Sequence, residues 1–321
     1  MKASVLGTAI LLASLDAPVG AETVYVSNER DNTISVLDGD SLEVTATIEV
    51  GRRPRGITFN RDQSLLFVAV GEDDRIDVVD LATNQVVGRL PSGPDPELFV
   101  LHPSGNPLYV ANEDDNLVSV VDVEAARLLA EIQVGVEPEG MGISPDGRWL
   151  VNTSETTNMA HFIDTDSHQI VANVLVDSRP RVAQFTADGE QVWVSSEIGG
   201  TVSVIDSESR EIVHKISFEI AGVPVEAIQP VGIQLTRDGS RAYVALGPSN
   251  RVAVVDQESF EVLDYHLVGQ RVWNLALSPD ESRLYTTNGV SSDVSVIDLE
   301  AGEVIASVGV GRAPWGVLVR P

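Results

Sequence analysis

The side chains suited to recognition chemistry are gathered at one recurring point in this sequence. A proline recurs at Pro54, Pro96, Pro138, Pro180, Pro230 and Pro314, with Val272 once in its place. Beside it stand Arg53 and Arg55, Asp95 and Glu97, Glu137 and Glu139, Arg179 and Arg181, Gln229 and Val231, Arg271 and Trp273, Ala313 and Trp315. Lys and Arg together number 21, and only Lys2 and Lys215 are lysine, which leaves 19 arginines; five of them fall among these fourteen positions. Two chemistries follow. Guanidinium forks pair carboxylates bidentately and indoles offer a stacking face, which suits a small, planar, anionic ligand. Alternatively, the same charges tie to one another as a ring of salt bridges, with Trp273 and Trp315 as packing.

Other chemistries are excluded or weak. The chain has no cysteine, so disulfides, thiolate metal sites, cysteine nucleophiles and covalent c-type haem attachment are absent. The five histidines, His102, His161, His168, His214 and His266, occupy unrelated places in their units. His102 reads as a turn residue, and His161 as a buried, hydrogen-bonded side chain in place of a serine. Neither a nucleophile elbow nor a zinc-binding helix motif occurs. Glu72-Asp73-Asp74 and Glu113-Asp114-Asp115 read as solvated hairpin tips, because calcium-loop ligand spacing is missing. No catalytic residue and no metal ligand is assigned.

The elements that must position the ring come from a repeat. A β-branched run ends in Asp at Asp38, Asp80, Asp122, Asp164, Asp206, Asp256 and Asp298, in steps of 42 with one step of 50. Turn signals such as Ser144-Pro145-Asp146-Gly147 and Thr236-Arg237-Asp238-Gly239 keep the same register. Each unit reads as four short strands; in the third these are 140–144, 149–153, 160–163 and 170–174. Four strands every ~42 residues, seven times, predict an all-β, seven-bladed β-propeller of antiparallel strands. Loops entering the innermost strands surround one mouth of its channel, so the proline-flanking residues should meet there. The chain enters at a second strand (Val24 to Ser27) and leaves after a first (Gly316 to Val319). The last blade should therefore join one C-terminal strand to three N-terminal ones, which removes two open edges.

An eight-residue insertion lies between Asp206 and Pro230. Its apolar residues Phe218, Ile220, Val223 and Val225 either fold back on blade five or form a partner-docking loop. Lys2, the apolar run from Ala3 to Leu15 and the small residues before Glu22 predict a secretory signal peptide over 1–21, cut after Ala21, followed by one propeller domain over 22–321. An exported, periplasmic protein without a membrane span is expected. The formal net charge of −27 argues against nucleic-acid binding.

Tyr25-Val26-Ser27-Asn28, Tyr109-Val110-Ala111-Asn112 and Tyr285-Thr286-Thr287-Asn288 resemble the signature of YVTN-repeat propellers. The stretches 152–159, 194–201 and Gly269-Gln270-Arg271-Val272-Trp273 resemble the PQQ-dependent catabolism-associated β-propeller protein family. That resemblance implies a periplasmic propeller working beside pyrroloquinoline-quinone (PQQ) alcohol oxidation. Its partner would be a quinoprotein dehydrogenase or its cytochrome, and PQQ, a flat tricarboxylate, is a candidate bound ligand. It carries no catalytic motif. Alcohol-oxidising quinoproteins themselves resemble eight-bladed propellers with a disulfide, which this sequence does not match. The expected function is non-enzymatic binding or assembly. The alternatives are a propeller enzyme, such as a lyase or lactone hydrolase with a channel site, and a surface-layer or adhesion-type module.

Overall fold

A computed structural model describes residues 22–321; residues 1–21, where a signal peptide is expected, lie outside the described residues. Seven four-stranded antiparallel sheets follow one another around a ring, as the repeat predicts. Blades one to six span residues 54–91, 96–133, 138–175, 180–217, 233–267 and 272–309. Blade seven is composite: Pro314–Arg320 pairs antiparallel with Thr23–Asn28, which continues into Thr33–Asp38 and Val44–Glu49. The closing register sets Val24 opposite Val319 and Val26 opposite Val317. In blade three the strands run Pro138–Ile143, Trp149–Ser154, Met159–Asp164 and Gln169–Leu175, within two residues of expectation.

The second and third strands read as near-continuous apolar runs because both of their faces are covered. In Leu65–Val70, Leu66, Val68 and Val70 pack toward blade seven, while Phe67 and Ala69 pack toward blade two. Seven such clusters fill the seven interfaces between blades, including that between six and seven, where Val24, Val26, Leu37 and Val317 meet Tyr285, Val294 and Val296. Each fully buried Val, Leu or Ile contributes roughly 1.5–3 kcal/mol, so neighbour-to-neighbour burial holds the ring. Fourth strands alternate instead, as in Gln169–Leu175, because they line the circumference.

The Asp marker has a local cause. Asp122 ends a third strand, and its Oδ1 accepts the backbone N–H groups of Glu124 and Ala125, both at 3.1 Å. Asp80 and Asp298 do the same. This Asx turn starts each outer hairpin.

The first strands are innermost, since those of neighbouring blades touch all round the ring. Their backbones approach so closely that a Cβ on Gly140 would lie 1.8 Å from the carbonyl oxygen of Arg181. The third letter of the Tyr-Val-Ser-Asn pattern ties these strands together. Ser27 Oγ donates to the Arg55 carbonyl at 2.7 Å, Thr153 Oγ1 to that of Arg181 at 2.9 Å, and Thr287 Oγ1 to that of Trp315 at 2.7 Å. The asparagine that follows is buried; Asn112 Nδ2 donates to Ser119 at 2.8 Å.

Candidate functional site

The residue before each proline marker turns the chain into the mouth. Arg53, Asp95, Glu137, Arg179, Arg271 and Ala313 all hold a left-handed backbone, with φ between 48° and 59°. For non-glycine residues this costs roughly 1–2 kcal/mol each, and paired hydrogen bonds offset it. The N–H of Arg53 donates to Asn32 Oδ1 at 3.0 Å, that of Arg179 to Asn158 at 3.0 Å, and that of Arg271 to Asn250 at 2.8 Å. Their carbonyls accept from Gly71, Glu197 and Gly289. Gln229, displaced by the insertion, lacks this conformation.

The arrangement is a paired charge network. Arg53 contacts Asp95 and Glu97 (2.7 Å to the latter); Arg55 contacts Glu97 at 2.7 Å and Glu139 at 3.8 Å. Arg181, 4% exposed, contacts Glu139 at 3.1 Å, Glu155, and Glu197 at 3.7 Å. Arg179 contacts Glu155 at 2.9 Å and Glu197 at 3.2 Å, and Arg271 contacts Glu197 at 2.7 Å. Every one of the five predicted arginines is thus brought together with carboxylates. Glu137 stands apart from them, its carboxylate accepting from Thr156 Oγ1. Trp273 lies under Arg271, 4.3 Å from guanidinium carbon to ring centre, and buried Trp315 lies 5.2 Å from Arg55.

Four carboxylates of this network, Glu29, Glu113, Glu155 and Glu197, were not among the expected site residues. They follow the second strand of their blades, and Gly71, Gly247 and Gly289 fill the same place elsewhere. Spacing by 42 was their available signal. The glycines make room: a Cβ on Gly71 would meet Asp95 and Arg53, and one on Gly289 would lie 2.5 Å from the Trp273 indole nitrogen. Glu113 is therefore no solvated hairpin tip. Burial, then the charges of Glu97 and Glu139, push its pKa up to about 8. Burial raises Glu155 to about 6 against the pull of Arg181, and raises Glu139 despite the same arginine. Asp95, Glu97 and Glu113 bring carboxylate oxygens within 4.8 Å of one another, but Arg53 and Arg55 already hold the first two.

The insertion is mostly packing. Phe218 and Ile228 are buried between blades four and five, and Ile220 and Val223 lie against the same cluster; only Val225, 67% exposed, faces outward. Of the two readings of this loop, folding back is the one that the packing supports: Phe218 is buried, and Ile220 and Val223 lie partly buried against the same cluster, which argues against the docking-loop reading for these three. His161 donates its Nδ1–H to Asn173 Oδ1 at 2.6 Å and accepts the Gly135 N–H on Nε2, and burial lowers its pKa. His102 caps its turn through Ser104. A surface cleft of about 400 Å³, bounded by Glu22, Asp40, Arg283 and Pro321, lies among the hairpins of the opposite face, away from this network.

Fold and mouth together define a seven-bladed propeller whose channel entrance is lined by mutually paired arginines and carboxylates. Comparison narrows this. The chain belongs to the Choice-of-anchor I domain family, whose model matches residues 111–295. No curated protein matches the sequence. Among solved structures, it is similar to Kuenenia stuttgartiensis hydrazine synthase (21% identity, 91% of this chain and 99% of that one, TM-score 0.80). It is also similar to a functionally unknown protein from Desulfotomaculum acetoxidans (18%, 92% and 98%, 0.78). A third is a putative 6-phosphogluconolactonase from Bacteroides fragilis (16%, 95% and 99%, 0.78). At these identities the likeness is one of fold. No helix among the described residues is long and apolar enough to cross a membrane.

Proposed function

We propose that this protein is an exported, periplasmic, non-enzymatic propeller that presents its channel-mouth face to a partner in PQQ-dependent alcohol oxidation. The resemblance supplies the setting. The family description, which speaks of anchoring, accords with export. The observation that carries the binding role is the mouth itself. Seven carboxylates (Glu29, Asp95, Glu97, Glu113, Glu139, Glu155 and Glu197) contact the five arginines, and these mutual contacts hold the mouth rigid. That balance favours a protein partner over free PQQ, because a tricarboxylate would compete with resident carboxylates for each guanidinium. The test is affinity capture from periplasm of cells grown on alcohol, with mass spectrometry of proteins and small molecules, beside calorimetric titration with PQQ. Capture of a quinoprotein dehydrogenase or its cytochrome, with no heat from PQQ, is expected. Failure to enrich any component of that system would refute the proposal.

One observation favours an enzyme as second reading. Glu113, proton-bearing near neutral pH and close to Glu97, has the form of a general acid. Turnover of a lactone panel, lost in Glu113→Gln, would establish it.

A further inference from the structure

The residues one place after the proline marker line the axial pore: Arg55, Glu97, Glu139, Arg181, Val231, Trp273 and Trp315. Among the described residues, several buried polar side-chain atoms lack a hydrogen-bond partner, and four of them belong to this one ring: Arg55 Nε, Arg181 Nε, Trp315 Nε1 and Glu139 Oε1. The carboxylates nearest the two Nε atoms, Glu29 and Glu197, stand 3.8 and 3.7 Å away, beyond hydrogen-bond reach. Glu139 Oε1 lies 3.1 Å from Arg181 Nη2 and 3.8 Å from Arg55 Nη1 but accepts no well-directed bond. Trp315, 2% exposed, has no acceptor for its indole N–H at all. The residues touch: Arg55 faces Trp315, Arg181 faces Trp273, and Glu139 bridges the two guanidiniums.

Buried polar atoms are nearly always paired, and each unpaired one is costly. Four in one contiguous ring are a donor and acceptor set without its counterpart. We propose that the pore is a binding site for a small uncharged molecule carrying both a carbonyl oxygen and an N–H or O–H group, such as a primary amide. Its oxygen would accept from Trp315 Nε1 and an arginine Nε, and its N–H would donate to Glu139 Oε1. Charge selects the class. Arg55 and Arg181 balance Glu97 and Glu139, so the ring is neutral and a net ion gains nothing by entering. Trp273, against Arg181, supplies the apolar wall. This site shares Arg55, Glu97, Glu139 and Arg181 with the mouth network but requires no protein partner, so the two readings fail separately.

The test uses ¹⁵N-tryptophan-labelled full chain and acetamide as the probe. Of the four indole N–H cross-peaks, the one missing in Trp315→Phe belongs to Trp315. Acetamide should move that peak saturably, with half-saturation on the order of 1 mM, a range open to a ligand of four heavy atoms. Acetate and methylammonium at equal ionic strength should not move it. Glu139→Gln should weaken the effect at least fivefold while the other three peaks report an intact fold. A Trp315 peak that does not shift, shifts without saturation, or shows only exchange with bound water would overturn the proposal.

Discussion

Arg181→Leu is the most informative single change in the mouth. Its guanidinium, 4% exposed, is held by Glu139, Glu155 and Glu197. After its removal, Glu155 keeps Arg179 at 2.9 Å and Glu197 keeps Arg179 and Arg271, but Glu139 keeps only Arg55 at 3.8 Å. The cost therefore concentrates on one fully buried carboxylate, and breaking a buried pair in this way costs about 3–5 kcal/mol. In a domain of this size that lowers the melting temperature by roughly 5–8 °C. The loss must depend on pH. An uncompensated buried Glu139 has its folded-state pKa raised further, so it binds a proton that the unfolded chain has released. The variant accordingly loses stability as pH rises, and its deficit is larger at pH 7.5 than at pH 5. Glu139→Leu added to Arg181→Leu should recover most of the loss, with a coupling of at least about 2 kcal/mol. Urea unfolding of the four proteins at both pH values measures all of this. A deficit under about 1 kcal/mol at pH 7.5, or one that ignores pH, would refute the paired-network account.

Glu113→Gln acts on the same network by removing a slope of the same sign from the wild type. Because burial and Glu97 raise its folded pKa to about 8, wild-type stability should fall, on the order of a few kcal/mol at most, as pH climbs from about 5 to 8; the glutamine variant flattens that limb in pH-dependent unfolding. Deleting residues 314–321 removes the strand that pairs with Thr23–Val26 and the buried Trp315 and Val317, so cooperative thermal unfolding should be lost; an unchanged melt contradicts the closure. Phe218→Ser should cost about 3–5 kcal/mol by opening the cluster between blades four and five, whereas Val225→Ser should stay within about 0.5 kcal/mol, both read by urea midpoints.

The fold was legible because three markers answer to three local physical needs. The Asp marker starts the outer hairpin, the proline marker ends the left-handed turn into the innermost strand, and the long apolar runs are strands covered on both faces. The predicted ring at the mouth was legible for the same reason, since one register position places each of its members. The partners of that ring were harder to see. Glu113 sits in an acidic run that looks like a solvated turn, and it is burial beside Glu97 of its own blade and Glu139 of the next that changes its chemistry. Glu155 likewise reaches Arg179 and Arg181 of the next blade, and Glu197 reaches Arg271 two blades on, contacts that a single unit does not reveal. Whether Phe218 and Val223 fold back or face a partner stayed open in the sequence because the insertion breaks the register that would show what covers them.

The central claim is that the mouth is the working face. Hydrogen–deuterium exchange of the protein, alone and with its captured periplasmic partner, tests it most directly. Protection is expected at residues 52–55, 94–97, 136–139, 178–181 and 270–273. Protection confined to the outer strands, with the mouth exchanging as in the free protein, would contradict it.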